Sequence, residues 1–307
     1  MQQHITLSNR VREALTASQP VVALESTVIT HGLPYPQNVE TALNMEAAVR
    51  EAGATPATIA VLRGEITVGI STDDIERLGS APGGSVRKCS RRDFSIAVGL
   101  KQDAATTVAG TMIAAHAAGI RVFATGGIGG VHRGHPFDVS ADLIELGRTP
   151  VAVVCSGAKS ILDLPLTLEV LETQGVPVLG YGVDSLPMFY TPESGLPVDQ
   201  RVDTPQEAAA VIEALLRLGM GHGLIIGVPV PQAYALDGQA AEVAIQQAVA
   251  QADKKGVTGK AVTPFILSRV AELTGERSKR ANTALLVNNG RVAAQVAIAL
   301  AGQTTAG

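Results

Sequence analysis

Lys159 stands just beyond an apolar run, in the stretch PVAVVCSGAKSILDL that covers residues 150–164. A lysine that is partly desolvated and opens a helix is favoured as a neutral amine, because both conditions disfavour its charged form. A neutral amine can attack a carbonyl carbon and form a Schiff base. The alternative is a surface lysine that extends from a helix start, and the local sequence does not separate the two.

Polar residues also follow two other apolar runs. Glu25 comes directly after VVAL, and Thr125 begins the glycine-rich stretch TGGIGGVHRG (125–134) after RVFA. Because ligands of α/β folds gather at the carboxyl ends of the strands, we expect these residues to share a site with Lys159. The glycines could free backbone N–H groups to bind an anion, or they could form a plain tight turn. The pattern is neither a dinucleotide fingerprint nor a Walker loop.

Asp138 and Asp142 are four residues apart in FDVSAD. They would share a helix face if Asp138 lay in the first turn, where acids usually serve the cap and the helix dipole. The functional alternative is a hard divalent cation bound by one carboxylate and water. The six histidines have no ligand spacing, which argues against a soft-metal site.

The two cysteines, Cys89 and Cys155, do not form a disulfide framework, and we interpret Cys155 as packing rather than as a nucleophile. The densest basic cluster, KCSRRD (88–93), suits one phosphate group, with Lys88 and either Arg91 or Arg92 as the anchor.

Composition excludes several classes of protein. The 307 residues carry a net charge of −4 without a long basic tract, which argues against nucleic-acid binding. No apolar run approaches the roughly 20 residues of a membrane helix, and no signal pattern opens the chain. We therefore expect a cytoplasmic protein that does not bind membranes. With 46% hydrophobic but only 3% aromatic residues, its core must consist of aliphatic side chains.

Short β-branched runs alternate with alanine-rich helical runs along the chain. This alternation predicts a three-layer α/β/α sandwich around a largely parallel or mixed central sheet. We expect a single domain over residues 1–307, of which residues 1–3, 258–261 and 305–307 lie outside those that the structure describes. Among the elements, residues 58–69 predict two strands around a turn, and residues 160–175 predict a helix kinked at Pro165.

Eight ordered segments together resemble one family. They are VALESTVITHGLPYPQN, RGEITVGIS, KCSRRDF, TTVAGTM, ATGGIGGVHRG, FDVSADL, VVCSGAKSILD and ANTALLVNNGRVAAQVA, which lie between about Val21 and Ala301. The sequence resembles the pseudouridine-5′-phosphate glycosidases, also called the indigoidine synthase A-like family. The resemblance implies reversible cleavage of the C–C glycosidic bond of pseudouridine 5′-phosphate to uracil and ribose 5-phosphate. It also implies a homotrimer.

The resemblance assigns roles to individual positions. It implies that Lys159 is the covalent lysine, that Glu25 is the proton donor, and that Asp138 binds Mn²⁺ or another hard cation such as Mg²⁺. The implied substrate contacts are Lys88, Val108, Ser140, Ala141 and Asp142, with Thr125, His132 and Asn282 as further pocket residues. The segment before Asp138 is shorter than in the family, with only His135-Pro136-Phe137 after HRG. That departure leaves the geometry of this loop open.

Two other functions remain open at this stage. A class I aldolase or other sugar-phosphate lyase would also use Lys159 and a phosphate site, but it would not depend on uracil. A non-catalytic ligand-binding protein of the same fold would not need Glu25, Lys159 and Asp138 together.

Overall fold

The structure, a computed structural model, describes residues 4–257 and 262–304. Its described strands are β1 (Ile5–Leu7), β2 (Val21–Glu25), β3 (Thr55–Leu62), β4 (Glu65–Val68), β5 (Arg87–Cys89), β6 (Ala104–Thr106), β7 (Val122–Ala124), β8 (Val131–His132), β9 (His135–Val139), β10 (Ala152–Cys155), β11 (Leu162–Asp163), β12 (Val178–Tyr181), β13 (Gln200–Val202) and β14 (Leu224–Gly227).

The described helices alternate with these strands and then dominate the C-terminal part. They are α1 (Asn9–Thr16), α2 (Thr27–His31), α3 (Gln37–Glu51), α4 (Thr72–Gly79), α5 (Phe94–Gly99), α6 (Val108–Ala117), α7 (Ala141–Leu146), α8 (Leu164–Thr173), α9 (Pro205–Leu218), α10 (Gly238–Lys254), α11 (Val262–Leu273) and α12 (Arg277–Thr304).

The main sheet is mixed, with its central part parallel. Its order is β1-β4-β3-β2-β7-β10-β14-β12-β13, while β6 pairs with β3 and β5 at one side. The pairings from β3 through β2 to β13 are parallel, whereas β3 runs antiparallel to β4 and β6. Every residue of β2, β10 and β14 is buried, as expected for strands covered by helices on both faces. The α/β fold class predicted from the sequence is confirmed.

Helix α12 is the long apolar helix of the described chain. By length and composition alone its segment Arg277–Gln303 could cross a membrane, but 56% of the most apolar window is buried inside the structure. The helix packs on α3, α9 and strands β2, β7 and β10. A core helix passes the same test of length and composition, so the test does not identify a membrane span here.

Of the two local predictions, one is confirmed and one is wrong. A turn at Arg63 and Gly64 joins β3 to β4, as predicted. Pro165, however, does not kink a helix. It occupies the first turn of α8, where Asp163 caps the helix by accepting a hydrogen bond from the Leu166 N–H. Proline is tolerated there because the first N–H groups of a helix have no partner within it.

Candidate active site

A cavity of about 590 Å³ opens at the carboxyl ends of β2, β7 and β10. Its wall includes every site residue predicted from the sequence: Glu25, Lys88, Val108, Thr125, His132, Asp138, Ser140, Ala141, Asp142, Lys159 and Asn282. Residues far apart in the chain meet here because parallel strands end at one edge of the sheet. The volume lies within the range of pockets that enclose a small-molecule ligand, about 300–1,000 Å³.

Glu25 is the last residue of β2, and its carboxyl group is surrounded by hydroxyl groups. The side chain is only 8% exposed. The Thr125 hydroxyl, at the end of β7, donates to Oε1, and the Thr27 hydroxyl oxygen lies 2.6 Å from Oε2. The carboxyl group therefore has a defined orientation at the cavity wall.

Lys159 lies two strands away from Glu25, in the loop between β10 and β11. Adjacent strands are about 4.8 Å apart, so the two strand ends are separated by about 10 Å. The Lys159 side chain is half-buried, and none of the hydrogen bonds or ion pairs found among residues 4–257 and 262–304 involves it. The predicted helix start at Lys159 is wrong, because α8 begins at Leu164. Partial burial, not a helix dipole, is what distinguishes this amine from a surface lysine.

Cys155, the last residue of β10, is fully buried. Burial raises the pKa of its thiol to about 12, against the opposing effects of two backbone N–H groups and the Lys159 charge. A thiol that stays protonated at neutral pH is not a nucleophile. The geometry agrees with the interpretation of Cys155 as packing.

The glycine-rich stretch packs closely against helix α7. The Gly129 N–H donates to Asp142 Oδ2 at 2.8 Å, and a Cβ on Gly129 would lie 2.2 Å from the Ser140 hydroxyl oxygen. The other oxygen of Asp142 accepts from the Ala109 N–H at 3.0 Å, in the first turn of α6. Gly129 is thus explained by its close approach to Ser140, and its N–H is bonded to the Asp142 carboxylate. Each Asp142 oxygen therefore accepts a hydrogen bond from a backbone N–H group, and the carboxylate holds α6 and the glycine-rich stretch together.

Asp138 does not lie on the helix with Asp142. It belongs to β9, which pairs antiparallel with β8, and α7 begins at Ala141 after its N-cap Ser140. The expected shared helix face is therefore wrong, because the Ser140 cap ends the extended segment before the helix starts. The Asp138 side chain is 56% exposed, and its Oδ2 lies 3.2 Å from His132 Nδ1. The short segment 135–137 is the first part of β9, with Phe137 fully open to solvent.

A buried asparagine on α12 connects the strand ends, and sequence analysis did not single it out. Asn289 Nδ2 donates to the Thr125 carbonyl at 2.8 Å and to the Ser156 hydroxyl at 3.2 Å. Thr125 follows β7 and Ser156 follows β10, so one side chain holds both ends in register. The signal in the sequence was a polar pair, Asn288-Asn289, within an apolar helical run.

Phe189 forms another part of the wall that the sequence did not reveal. It is buried with φ of 57°, a left-handed conformation that side chains other than glycine rarely adopt. Its N–H donates to the Ser156 carbonyl at 2.9 Å. Gly157, the residue after Ser156, has φ of 78°. A Cβ on Gly157 would lie 1.9 Å from the Pro187 carbonyl oxygen. The loop at 186–191 thus fits against the Lys159 loop without room for a side chain at Gly157.

The two arginines of the basic cluster at residues 88–93 differ in their partners. Arg91 donates through Nε and one terminal nitrogen to both oxygens of Glu145, at 2.8 and 2.7 Å, and Glu145 is buried in α7. This ion pair raises the pKa of Arg91 through the hydrogen bond to Glu145. Arg92 lines the cavity, and no hydrogen bond or ion pair of its side chain is found in the part of the chain that the structure describes. Of the two alternatives, Arg92 is the one available to a ligand.

We expect Arg91→Met to lower the free energy of unfolding and Arg92→Met to leave it nearly unchanged. The first change leaves the buried Glu145 carboxylate with the Thr149 hydroxyl but without its cation, at a cost of about 1–3 kcal/mol. The second removes an exposed charge, within about 0.5 kcal/mol. Urea unfolding of both variants measures the difference. Equal loss in both variants would contradict the division between Arg91 and Arg92.

The fold and the cavity define an α/β sandwich protein with a glutamate and a lysine that follow two strands ending at one edge of the sheet. A sequence profile of the family described as indigoidine synthase A like protein matches residues 10–299. The chain belongs to this family.

Relatives extend over the full length of the chain. It is 57% identical to a pseudouridine-5′-phosphate glycosidase of Herpetosiphon aurantiacus over 96% of this chain and 98% of that protein. It is 53% identical to a pseudouridine-5′-phosphate glycosidase of Clostridium botulinum, over 98% of each. A crystal structure of prealnumycin C-glycosynthase in complex with ribulose 5-phosphate superimposes with a TM-score of 0.91, at 40% identity and 99% coverage of both chains.

These full-length relatives are enzymes, and the chain is an enzyme. The non-catalytic alternative from the sequence is thereby set aside.

Proposed function

We propose that this enzyme reversibly cleaves the C–C glycosidic bond of pseudouridine 5′-phosphate to uracil and ribose 5-phosphate. The observation that carries the proposal is the position of Lys159 and Glu25 in the wall of one cavity, at strand ends about 10 Å apart. The names of the relatives at 53–57% identity support the same substrate.

The bond to be broken requires an electron sink. A C-glycoside has a carbon leaving group, so protonation of a glycosidic oxygen followed by water attack, the usual route with two carboxylates, does not apply. The uracil ring becomes that sink once C5 is protonated, and a lysine amine can donate its lone pair to form a C=N bond as the carbon–carbon bond breaks. Lys88 in β5 and Lys159 are both half-buried amines in the cavity wall. The position of Lys159 just beyond the carboxyl end of β10 favours it for this role.

The Lys159 amine attacks C1′ and the C1′–O4′ bond breaks, which opens the ribose ring. The proton that the nitrogen loses goes to O4′, so that O4′ becomes a hydroxyl and the nitrogen regains its lone pair. Glu25 gives a proton to uracil C5, the electrons of the C1′–C5 bond return to the uracil ring, and the nitrogen lone pair forms an iminium with C1′. Water then hydrolyses the iminium to release ribose 5-phosphate and the free amine. In the reverse direction Glu25 removes the C5 proton.

The phosphate of the substrate would bind at the part of the cavity wall that contains Lys88, Arg92 and Val108. Lys88 in β5 and Arg92 supply positive charge there, and Val108 is the first residue of α6, where a helix N-terminus favours anions. We expect Arg92→Met to raise the KM for ribose 5-phosphate, since its guanidinium is not committed to Glu145.

A divalent cation would be held at Asp138. Among the residues described, no cluster of three or more His, Cys, Asp and Glu side chains could hold a metal. The half-exposed Asp138 carboxylate therefore fits a hard cation that keeps most of its water, as Mn²⁺ and Mg²⁺ do. Such an ion would supply positive charge and ordered water at the mouth of the cavity.

We expect removal of divalent cations with EDTA to lower turnover and added Mn²⁺ to restore it. Asp138→Asn keeps the size of the side chain but removes its charge, so the Mn²⁺ concentration for half-maximal activity should rise at least about tenfold. Asp73→Asn, at an exposed position in α4, is the matched control and should behave as wild type. Turnover that is indifferent to EDTA would argue against any cation at Asp138.

The direct test of the proposed function is to incubate the enzyme with uracil, ribose 5-phosphate and Mn²⁺ and to detect the C-glycoside by mass spectrometry. A class I aldolase would instead convert a sugar phosphate without uracil. The C-glycosynthase relative favours a second candidate, in which another carbon nucleophile replaces uracil. Product formed with such an acceptor but not with uracil would support that candidate.

Two further predictions, the homotrimer implied by the resemblance and the cytoplasmic location indicated by the sequence, remain predictions. The homotrimer can be checked by light scattering of the purified chain. The cytoplasmic location can be checked by fractionation of cells that produce it.

A further inference from the structure

The Thr27 hydroxyl makes two short contacts that one proton cannot serve. Its oxygen lies 2.6 Å from Glu25 Oε2 and 2.5 Å from the carbonyl oxygen of Thr106, the last residue of β6. Both distances are within the range of O–H···O hydrogen bonds, and a hydroxyl has a single proton to donate. One of the two contacts must therefore receive its proton from the other group.

Only the carboxyl group can be that second donor. A backbone carbonyl has no proton, so the Thr27 hydroxyl must donate to Thr106. If Glu25 were ionised and Thr27 donated to it, two oxygens with lone pairs would face each other at 2.5 Å with no proton between them. The contact at Oε2 is satisfied when Oε2 carries a proton and donates it to Thr27. The Thr125 hydroxyl completes the arrangement by donating to Oε1.

Other buried carboxylates in the cavity wall have donors that favour a negative charge. Glu145 accepts two hydrogen bonds from the Arg91 guanidinium, and Asp142 accepts from two backbone N–H groups. The hydrogen-bond partners of Glu25 are hydroxyls, which can accept as well as donate. The partners of Glu25 therefore do not require a negative charge on its carboxyl group, unlike those of Glu145 and Asp142.

We infer that Thr27 is a positioning residue that holds Glu25 as a neutral carboxylic acid, with the proton on Oε2, in the enzyme before substrate binds. This inference rests on the proposed function only for its catalytic meaning, since a proton donor to uracil C5 must carry its proton when the reaction begins. Thr27 would act through Glu25 and would not itself exchange a proton with the substrate.

Infrared difference spectroscopy of the ligand-free enzyme at neutral pH tests the charge state directly. The wild-type spectrum should contain the carbonyl stretch of a neutral carboxylic acid, and Glu25→Gln should remove it. In Thr27→Val, which keeps the side-chain shape but lacks the hydroxyl, the band should move or disappear. Thr27→Ser keeps the hydroxyl and should retain the wild-type band. Absence of the band in wild type would overturn the inference.

Kinetics separate positioning from a merely structural role. Thr27→Val should lower turnover about tenfold or more, up to the roughly 10²–10⁴-fold that general acid help supplies, while borohydride still traps the sugar on the protein. Thr27→Ser should stay close to wild type. Equal loss of trapping and turnover in Thr27→Val would overturn a role through Glu25. If wild type shows the acid band but no reaction with uracil, the proposed function fails and the assigned charge state stands.

Discussion

Replacing Lys159 with methionine should abolish the adduct that borohydride traps between the wild-type enzyme and ribose 5-phosphate. Methionine has a similar length and suits the partly buried position, but it has no amine to form an imine. Turnover should fall by roughly 10⁴–10⁶-fold, as expected when a covalent nucleophile is removed from an enzyme. Intact-protein mass spectrometry of the reduced sample measures the adduct, and peptide mapping should place it on residue 159.

The matched control is Lys254→Met, at an exposed lysine at the end of α10. This variant should trap the sugar and turn over like wild type, because Lys254 does not line the cavity. An adduct of normal yield in Lys159→Met would remove the imine from the proposed steps. A reduced adduct on several lysines would indicate non-specific reaction with the open-chain sugar.

The sequence was sufficient to predict that Glu25, Thr125 and Lys159 lie in one site. Strand periodicity located the ends of β2, β7 and β10, and the rule that parallel strands end at one edge brought Glu25, Thr125 and Lys159 together. The family resemblance added residues from β5, β9 and α12, and all of them line the cavity. These residues could be placed in one cavity because the order of strands along the chain can be read directly from the sequence.

Local environments were predicted less well, because they depend on partners distant in sequence. Lys159 was expected at a helix start, but a short strand, β11, intervenes and pairs with β8 to set its loop. Pairing between such short strands has no periodic signal of its own. The pairing of β8 with β9 likewise places Asp138 in a strand rather than on α7.

The residues that sequence analysis missed connect elements rather than belong to a motif. Asn289 joins the ends of β7 and β10 from α12. Thr27 contacts Glu25 and the Thr106 carbonyl, which lies 79 positions along the chain. Each role is defined by a pair of contacts, and only the folded chain brings both members of the pair together.

Glu25→Gln should separate the two halves of the reaction. The amide cannot give a proton to uracil C5, so turnover in either direction should fall about 10²–10⁴-fold. Formation of the imine with ribose 5-phosphate requires Lys159 and not this proton, and borohydride trapping should persist. In D₂O, wild type should release uracil with deuterium at C5 and the variant should not. If the variant exchanges the hydrogen at C5 at the wild-type rate, another group must be the acid.

The stability of Glu25→Gln carries a second expectation, because an amide reproduces the hydrogen bonds of a neutral acid. Its NH₂ group can donate to Thr27 in place of the Oε2 proton, and its carbonyl oxygen can accept from Thr125. The free energy of unfolding should therefore stay within about 0.5 kcal/mol of wild type. Adding Thr27→Val to Glu25→Gln leaves the amide without that acceptor and should destabilise the fold. A large loss on Glu25→Gln alone would instead indicate that the native network holds a carboxylate.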